Sequence, residues 1–288
     1  MKYLRKRYDI ISLNQLVRYI KEAQPLPLKS VVVTIDDGFK DTYRNAYPIL
    51  KKYNIPATVF LATGRINIDD LFWSDKAAYA IWNTTQEILS MDELGVYPIR
   101  TAGQRRKVSS NIKEKLREIP AVKKNFIIER LVRTLGVNIP AHIGKEFSLT
   151  WDEVRVMSKN GINFGAHSIS HPNLAKIPIE EARIEIVESK NQIEKELDKP
   201  CFSFAYPLGS STNFNEDIKN ILRECEFSCA VTTLYSGASG IKRDIYELGR
   251  IPPGSNAQIF KLNISGLYFD LESILKRTKI ISKDYRFF

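Results

Sequence analysis

The sequence predicts an α/β protein in which strands alternate with helices, interrupted by a helical insertion. Three observations predict it. "VVVTI", "TYRNAYPILKKYN" and "ATVFLAT" follow one another over residues 31–63 as strand, helix and strand, the unit that builds parallel sheets. From about residue 72 to 148 the pattern becomes charge-rich and helical in period. From residue 150 short apolar runs and amphipathic helices alternate again. The 288 residues suit one large α/β domain spanning 1–288 with the insertion inside it.

Taken in order, "LNQLVRYIKEA" (13–23) has the spacing of an amphipathic helix. "VVVTI" reads as a buried strand, and the helix and strand after it complete the first unit. In the insertion, "FWSDKAAYAIWNTTQEIL" and "SSNIKEKLREIPAVKKNFIIERLVRTLG" both read as helical. Trp73 and Trp82 there are candidates for stacking on a ligand, or for anchoring the lobe to a core. "TWDEVRVMSKNG" is a helix with Thr150 as N-cap and Gly161 at its end. "INFGAHSISHPNL" gives a short strand and a loop, and "IPIEEARIEIVESKNQIEKELD" a long helix. A strand "CFSFAYPLG", a helix "NFNEDIKNILREC" and a strand "FSCAVTT" follow. The turn-rich "ELGRIPPGS" and a last helix in "NAQIFKLNISG" come after them.

Composition narrows the function. Apolar residues make up 43%, enough for a sizeable core, and no apolar run reaches membrane-spanning length. The basic N-terminus lacks the apolar stretch of a signal peptide. As it stands the chain is expected in the cytoplasm, or in the cell envelope or outside the cell if it is N-terminally trimmed. The net charge of +10 is spread along the chain. It is compatible with a solvated surface, or with peripheral association with a membrane or envelope. No basic run is interleaved with aromatics, so nucleic acid is not an expected partner. Cys201, Cys225 and Cys229 lack the fourth ligand of a zinc site and read as free thiols.

Two motifs carry chemistry. Asp36 and Asp37 stand at the C-terminal end of "VVVTI", the end where ligands collect in α/β sheets. Like charges are costly there unless something positive lies nearby. Only three histidines occur, His142, His167 and His171, and two of them lie in "HSISHP". Pro172 disfavours a helix at His171, so a loop that turns both imidazoles to one point is expected. A carboxylate and two imidazoles suit Zn²⁺, with Co, Ni or Fe as alternatives, and leave a coordination position open. One aspartate would be a ligand and the other a base.

With these residues in view, "TIDDGFKDTYRNAYPILKKYNIPATVFLATG", "FGAHSISHPNL" and "FAYPLG" resemble the polysaccharide deacetylase family, the NodB-like domain of carbohydrate esterase family four, and "YELGRIPPGS" resembles its members close to the biofilm-glycan deacetylases. The resemblance covers about 30–65 and 150–255. It implies a distorted (β/α)7 barrel and metal-dependent removal of N-acetyl groups from a sugar polymer or glycoconjugate. It also implies that Asp36 is the catalytic base and that Asp37, His167 and His171 hold one divalent metal. Tyr206, beside Pro207, would offer its backbone N–H to the oxyanion.

The chain departs from the family in two places. No histidine follows His171 to serve as general acid, and no histidine-bearing strand precedes the Asp-Asp pair, so a first strand is expected to be missing from this chain. His142 is the remaining histidine. "FAYPLG" lacks the family's usual arginine, and Arg250 is the candidate substitute, orienting Asp36 by a bidentate pair. The alternatives are a deformylase or amidase acting on a lipid-linked sugar or small amide, and a glycan-binding protein with a weakened site.

Overall fold

The computed structural model describes residues 1–235 and 244–266. The chain opens with α1 (Lys2–Arg7), β1 (Asp9–Ile10) and α2 (Leu13–Lys21), then β2 (Ser30–Val31) and β3 (Val33–Ile35). A π-helical turn at Thr42–Ala46 leads into α3 (Tyr47–Lys52), and β4 (Ala57–Leu61) follows. The next stretch holds α4 (Trp73–Asn83), a hairpin of β5 (Ile88–Met91) and β6 (Gly95–Pro98), then α5 (Ala102–Arg117), α6 (Ala121–Thr134) and α7 (Gly144–Phe147). The α/β alternation resumes with α8 (Trp151–Lys159), β7 (Ile162–Ala166), α9 (Ile179–Leu197), β8 (Ser203–Ala205), α10 (Glu216–Glu224), β9 (Cys229–Val231) and α11 (Ala257–Ile264).

The main sheet has the order β3-β4-β7-β8-β9, and every pair in it is parallel. β4 is buried along its whole length, and all its residues but Thr58 are apolar. The segment 245–248, a turn that ends in a bridge at Leu248, lies alongside β9, with Ala230 N–H donating to Ile245 O and Thr232 N–H to Leu248 O. Arg250, just beyond it, reaches Asp36 and Thr34 at the opposite edge of the sheet. The sheet is therefore curled into a distorted (β/α) barrel. Because its strands are parallel, their C-terminal ends share one rim. That rim carries Asp36 and Asp37 after β3, His167 after β7 and Tyr206 after β8.

Two expectations need correction. "VVVTI" is not one buried strand: Val31 pairs with Ile10 of β1, whereas Val33 pairs with Ala57 of β4. The chain changes partner at Val32, and the stretch is only partly buried because β3 is the edge of the main sheet. The short strand that precedes the Asp-Asp pair, β1, carries no histidine, as expected. Finally, residues 72–148 are not purely helical. Leu89 and Met91 are buried while Ile88 and Ser90 are exposed, the period-two pattern of a strand, and Gly95 (φ +103°) makes the turn. Helix α4 stops at Asn83, and Pro120 separates α5 from α6.

This stretch has a core of its own, with Trp73, Ile81, Leu89, Ile112, Ile128 and Leu131 among its members, distinct from the barrel core. Thr150 caps α8 as predicted, in a reciprocal pair with Glu153. All three cysteines are free thiols. No described helix is long and apolar enough to cross a membrane.

Candidate active site and metal centre

The histidine loop leaves β7 without a gap. His167 N–H donates to Leu61 O at 2.9 Å, the last link between β7 and β4. The backbone then turns twice through left-handed conformations, at Ser168 (φ +62°) and His171 (φ +55°). Ser168 Oγ accepts the His171 N–H at 3.0 Å, which closes the turn. Thr63 and Gly64 donate to Ser168 O and Ile169 O, each at 3.0 Å. Gly64 allows this approach, since a Cβ there would lie 2.8 Å from Ile169 O.

The Asp-Asp turn is equally constrained. Asp37 has φ +77° and Gly38 φ +83°, and a Cβ on Gly38 would sit 2.7 Å from Ile66 Cδ1. A left-handed aspartate stores backbone strain of the kind found at functional sites. Here it accompanies a carboxylate set against the two imidazoles. Asp37 Oδ1 lies 3.4 Å from His167 Nε2 and 3.3 Å from His171 Nε2. The rings meet edge-on, with centroids 4.7 Å apart.

These spacings can be tested against a metal. Tetrahedral bonds of about 2.0–2.1 Å place neighbouring donor atoms roughly 3.3–3.4 Å apart. The measured separations match, and the three donor atoms all lie within 4.8 Å of one another. His167 Nδ1 lies 2.7 Å from Ala205 O, a carbonyl that can only accept. Burial disfavours the His167 cation, but Asp37 and Asp36 outweigh it and raise its pKa, so without a metal Nε2 also carries a proton, shared with Asp37. Because Nδ1 is committed to Ala205 O, Nε2 is the nitrogen that a metal would take in place of that proton. Burial, with the charge of His167 behind it, pushes the His171 imidazole down to about 3, so its nitrogen is neutral. Burial alone would raise the Asp37 carboxyl. The hydrogen bond and charge of His167, with His171 and Arg65, hold it well below the usual carboxylate range. A second acidic group, Glu216, Asp244 and Glu247, is already occupied by the Lys219 ammonium, which lies 3.0 Å from Asp244 and also pairs with Glu216 and Glu247.

Asp36 faces a different partner. Arg250 Nη1 and Nη2 donate to Asp36 Oδ1 and Oδ2, both at 2.7 Å. Arg250 Nε donates to Thr232 O at 2.8 Å, so the guanidinium is itself held in place. Burial works against the Asp36 carboxylate, but the Arg250 hydrogen bonds and the nearby His167 charge prevail and lower its pKa.

The remaining predicted residues stand elsewhere. The Tyr206 N–H donates to Val231 O at 3.1 Å and is consumed by the sheet. Its ring is fully buried, stacked on Phe214 at 4.3 Å, and its hydroxyl donates to Tyr246 O. Tyr206 therefore has no free N–H for an oxyanion, and Pro207 has none at all. Leu208, next in the turn (φ +66°), has an N–H with no acceptor among the described residues. His142 lies on the exposed surface, 3.4 Å from Asp69. Trp82 is exposed, whereas Trp73 is buried and donates its indole N–H to Ser170 O at 2.7 Å.

Two residues that hold the loop are absent from the sequence reading, Trp73 in this role and Glu185. Glu185 is buried on α9. Its Oε2 accepts the N–H groups of Ile169 and Ser170 at 2.7 and 2.8 Å, and its Oε1 the Ser170 hydroxyl at 2.6 Å. The available signal is a charged residue within the buried stripe Ala182, Ile186, Ser189 and Ile193. Replacing Glu185 with glutamine removes the charge and one acceptor oxygen. Each buried donor left unsatisfied costs about 1–3 kcal/mol. A lower Tm and a ~10–100-fold weaker metal affinity are expected, as for other residues that orient ligands. Unchanged zinc affinity by competition with a chelating dye would remove this role.

A family model described as polysaccharide deacetylase matches residues 23–97 and 107–230. The protein YxkH of Bacillus subtilis (strain 168), named for the same family, is 21% identical over 241 residues, which cover 83% of this chain and 57% of that protein. The poly-beta-1,6-N-acetyl-D-glucosamine N-deacetylase of Staphylococcus aureus (strain MRSA252) is 34% identical over 99 residues, which cover 34% of this chain and 32% of that protein. The match thus spans little more than half of the first relative and about a third of the second. Among solved structures, the Streptococcus pyogenes deacetylase PplD in complex with acetate aligns with a TM-score of 0.56 at 19% identity, over 91% of this chain and 83% of that one. IcaB from Ammonifex degensii aligns with a TM-score of 0.56 at 18% identity, over 92% and 84%. At such identities the alignments speak for the fold.

Proposed function

The chain belongs to the polysaccharide deacetylase family, and from that premise we propose that it is a metal-dependent hydrolase that removes N-acetyl groups from an N-acetylated glycan. The observation that carries this reading is the spacing of 3.3 and 3.4 Å between Asp37 and the two imidazoles, with Asp36 adjacent and clamped by Arg250. Asp37, His167 and His171 would hold the metal, and the donor set with its tetrahedral spacing suits Zn²⁺, with Co²⁺, Ni²⁺ or Fe²⁺ as alternatives. When bound, the metal supplies Lewis acidity toward the amide carbonyl and toward water.

The chain's own residues would do the rest. Asp36 is ionised and keeps a free lone pair on each oxygen beside the Arg250 bonds. It would take a proton from water as the oxygen attacks the acetamide carbon. The Leu208 N–H is the candidate donor to the developing oxyanion, in place of Tyr206. Breaking the C–N bond requires a proton on the nitrogen. Asp36, protonated in the first step, is the group that could return it, so that acetic acid and the free amine form, and the acid's proton passes to the amine to give acetate and an ammonium group. Arg250 would keep Asp36 in one orientation through both transfers.

Poly-β-1,6-N-acetyl-D-glucosamine, which the Staphylococcus relative's name gives as its polymer, is the first substrate to test. The zinc-loaded chain is expected to release acetate from it or from N-acetylglucosamine oligomers. A chelator should stop the release, and added Zn²⁺ should restore it. Failure to release acetate with any of the four metals, at full occupancy, would overturn the reading. A slow rate at full occupancy would fit a second reading, a glycan binder with a weakened site. The observation favouring that reading is that His142, the third histidine, is on the surface and paired with Asp69.

A further inference from the structure

Helix α5 brings two uncompensated cations to the mouth of this site. Lys113 and Arg117 stand one helical turn apart and share a face. The Arg117 carbonyl accepts the Asn173 N–H at 3.1 Å, two residues past His171, so this end of α5 is tied to the histidine loop. Both side chains are partly buried. Arg117 Nε is withdrawn from solvent and has no hydrogen-bond partner. Neither side chain makes an ion pair or a hydrogen bond among the described residues. Burial depresses the pKa of both cations. Asp75 and Asp37 oppose this at Lys113, and Glu114 and Asp37 at Arg117, so both groups sense the metal-ligand carboxylate. The Arg117 charge also acts on His171.

Their neighbours show the contrast. Arg65 is buried but paired with Asp75 and sandwiched between the rings of Phe39 and Phe72, at 4.1 and 4.5 Å. Lys115, on the same helix, donates to Leu94 O at 2.7 Å and Tyr97 Oη at 2.9 Å. Desolvating a cation without a partner is costly, so side chains kept in that state beside a binding site are poised for an anion. The neutral acetamide of the reaction does not supply one. An arginine and a lysine side by side suit an oxyanion, the first by its planar fork and the second as a point charge.

We propose that Lys113 and Arg117 form an anion subsite at the mouth of the active site, which takes a phosphate or carboxylate carried by the glycan beside its acetylated sugar. The proposal rests on the deacetylase reading for its glycan, but its test does not require turnover. The zinc-loaded Asp36→Asn protein would be titrated calorimetrically with three probes. These are an N-acetylglucosamine tetramer, the same tetramer bearing a 6-phosphate, and an alternating N-acetylglucosamine–glucuronate tetramer.

At least one charged probe is expected to bind about tenfold more tightly than the neutral one at low salt, and the gap should narrow in about 0.5 M NaCl. The tighter of the two names the anion. The gap should vanish when Lys113→Gln and Arg117→Gln are combined, and persist in part in Arg117→Lys. Equal binding of all three probes overturns the proposal, and needs no variant of α5. So does a charge preference that survives in the double variant at an unchanged Tm. A charge preference together with no acetate release from the Asp36-intact chain would keep the subsite and remove the deacetylase reading. Acetate release without charge preference would do the reverse.

Discussion

Replacing His167 with alanine is expected to strip the metal from the protein and to take acetate release below detection. The imidazole is buried, its Nδ1 is committed to Ala205 O, and its Nε2 stands 3.4 Å from Asp37 Oδ1. Losing it leaves two donors, Asp37 and His171, where a tetrahedral catalytic site needs three protein ligands. Residues that merely orient ligands cost ~10–100-fold in metal affinity when changed, and a ligand should cost more than that. The fold should survive with a penalty of about 1–3 kcal/mol for the orphaned Ala205 carbonyl, besides a small cavity. Metal content measured after dialysis against a weak chelator, together with Tm, decides the matter. Full occupancy in a folded His167→Ala protein would remove this residue from the ligand set.

Asp36→Asn is expected to separate the paired carboxylates. A base would be lost and a ligand would not, so kcat should fall by ~10²–10⁴ while metal content stays at one per chain. KM should change little, because the loss falls on a group that acts as the proton moves. The substitution also replaces one of the two oxygens that accept from Arg250 at 2.7 Å with an NH₂ donor and leaves that guanidinium against a neutral amide. Arg250→Lys provides the comparison. It keeps a positive charge but not the fork, so it should lower kcat less than Asp36→Asn does. If Asp36→Asn lost its metal while Asp37→Asn kept it, the two roles would be exchanged.

Much of this site is legible in the sequence because it is written in short stretches. "TIDDG" couples a strand to two carboxylates, and "HSISHP" places two imidazoles on a loop that Pro172 keeps from becoming a helix. In the folded chain these two stretches meet at one rim. Chemistry calls for something positive beside paired carboxylates, the family resemblance points to Arg250 as the arginine that orients Asp36, and the fold delivers it across the barrel opening.

What the sequence does not disclose depends on which segments lie side by side. Tyr206 stands in a motif stretch, yet its N–H is spent on Val231 because β9 runs alongside β8. The hairpin at Ile88–Pro98 lies within a region of helical composition and needs its partner strand before its alternation means anything. Glu185 and Lys113 read as ordinary charges on amphipathic helices. Their partners, or the lack of them, belong to segments distant in the chain. Sequence alone determined the alternation of strands and helices, the residues able to bind a metal and the need for a cation beside Asp36. Only tertiary structure decided which backbone groups remain free and which charges stay unpaired, because hydrogen bonding and desolvation are set by non-local neighbours.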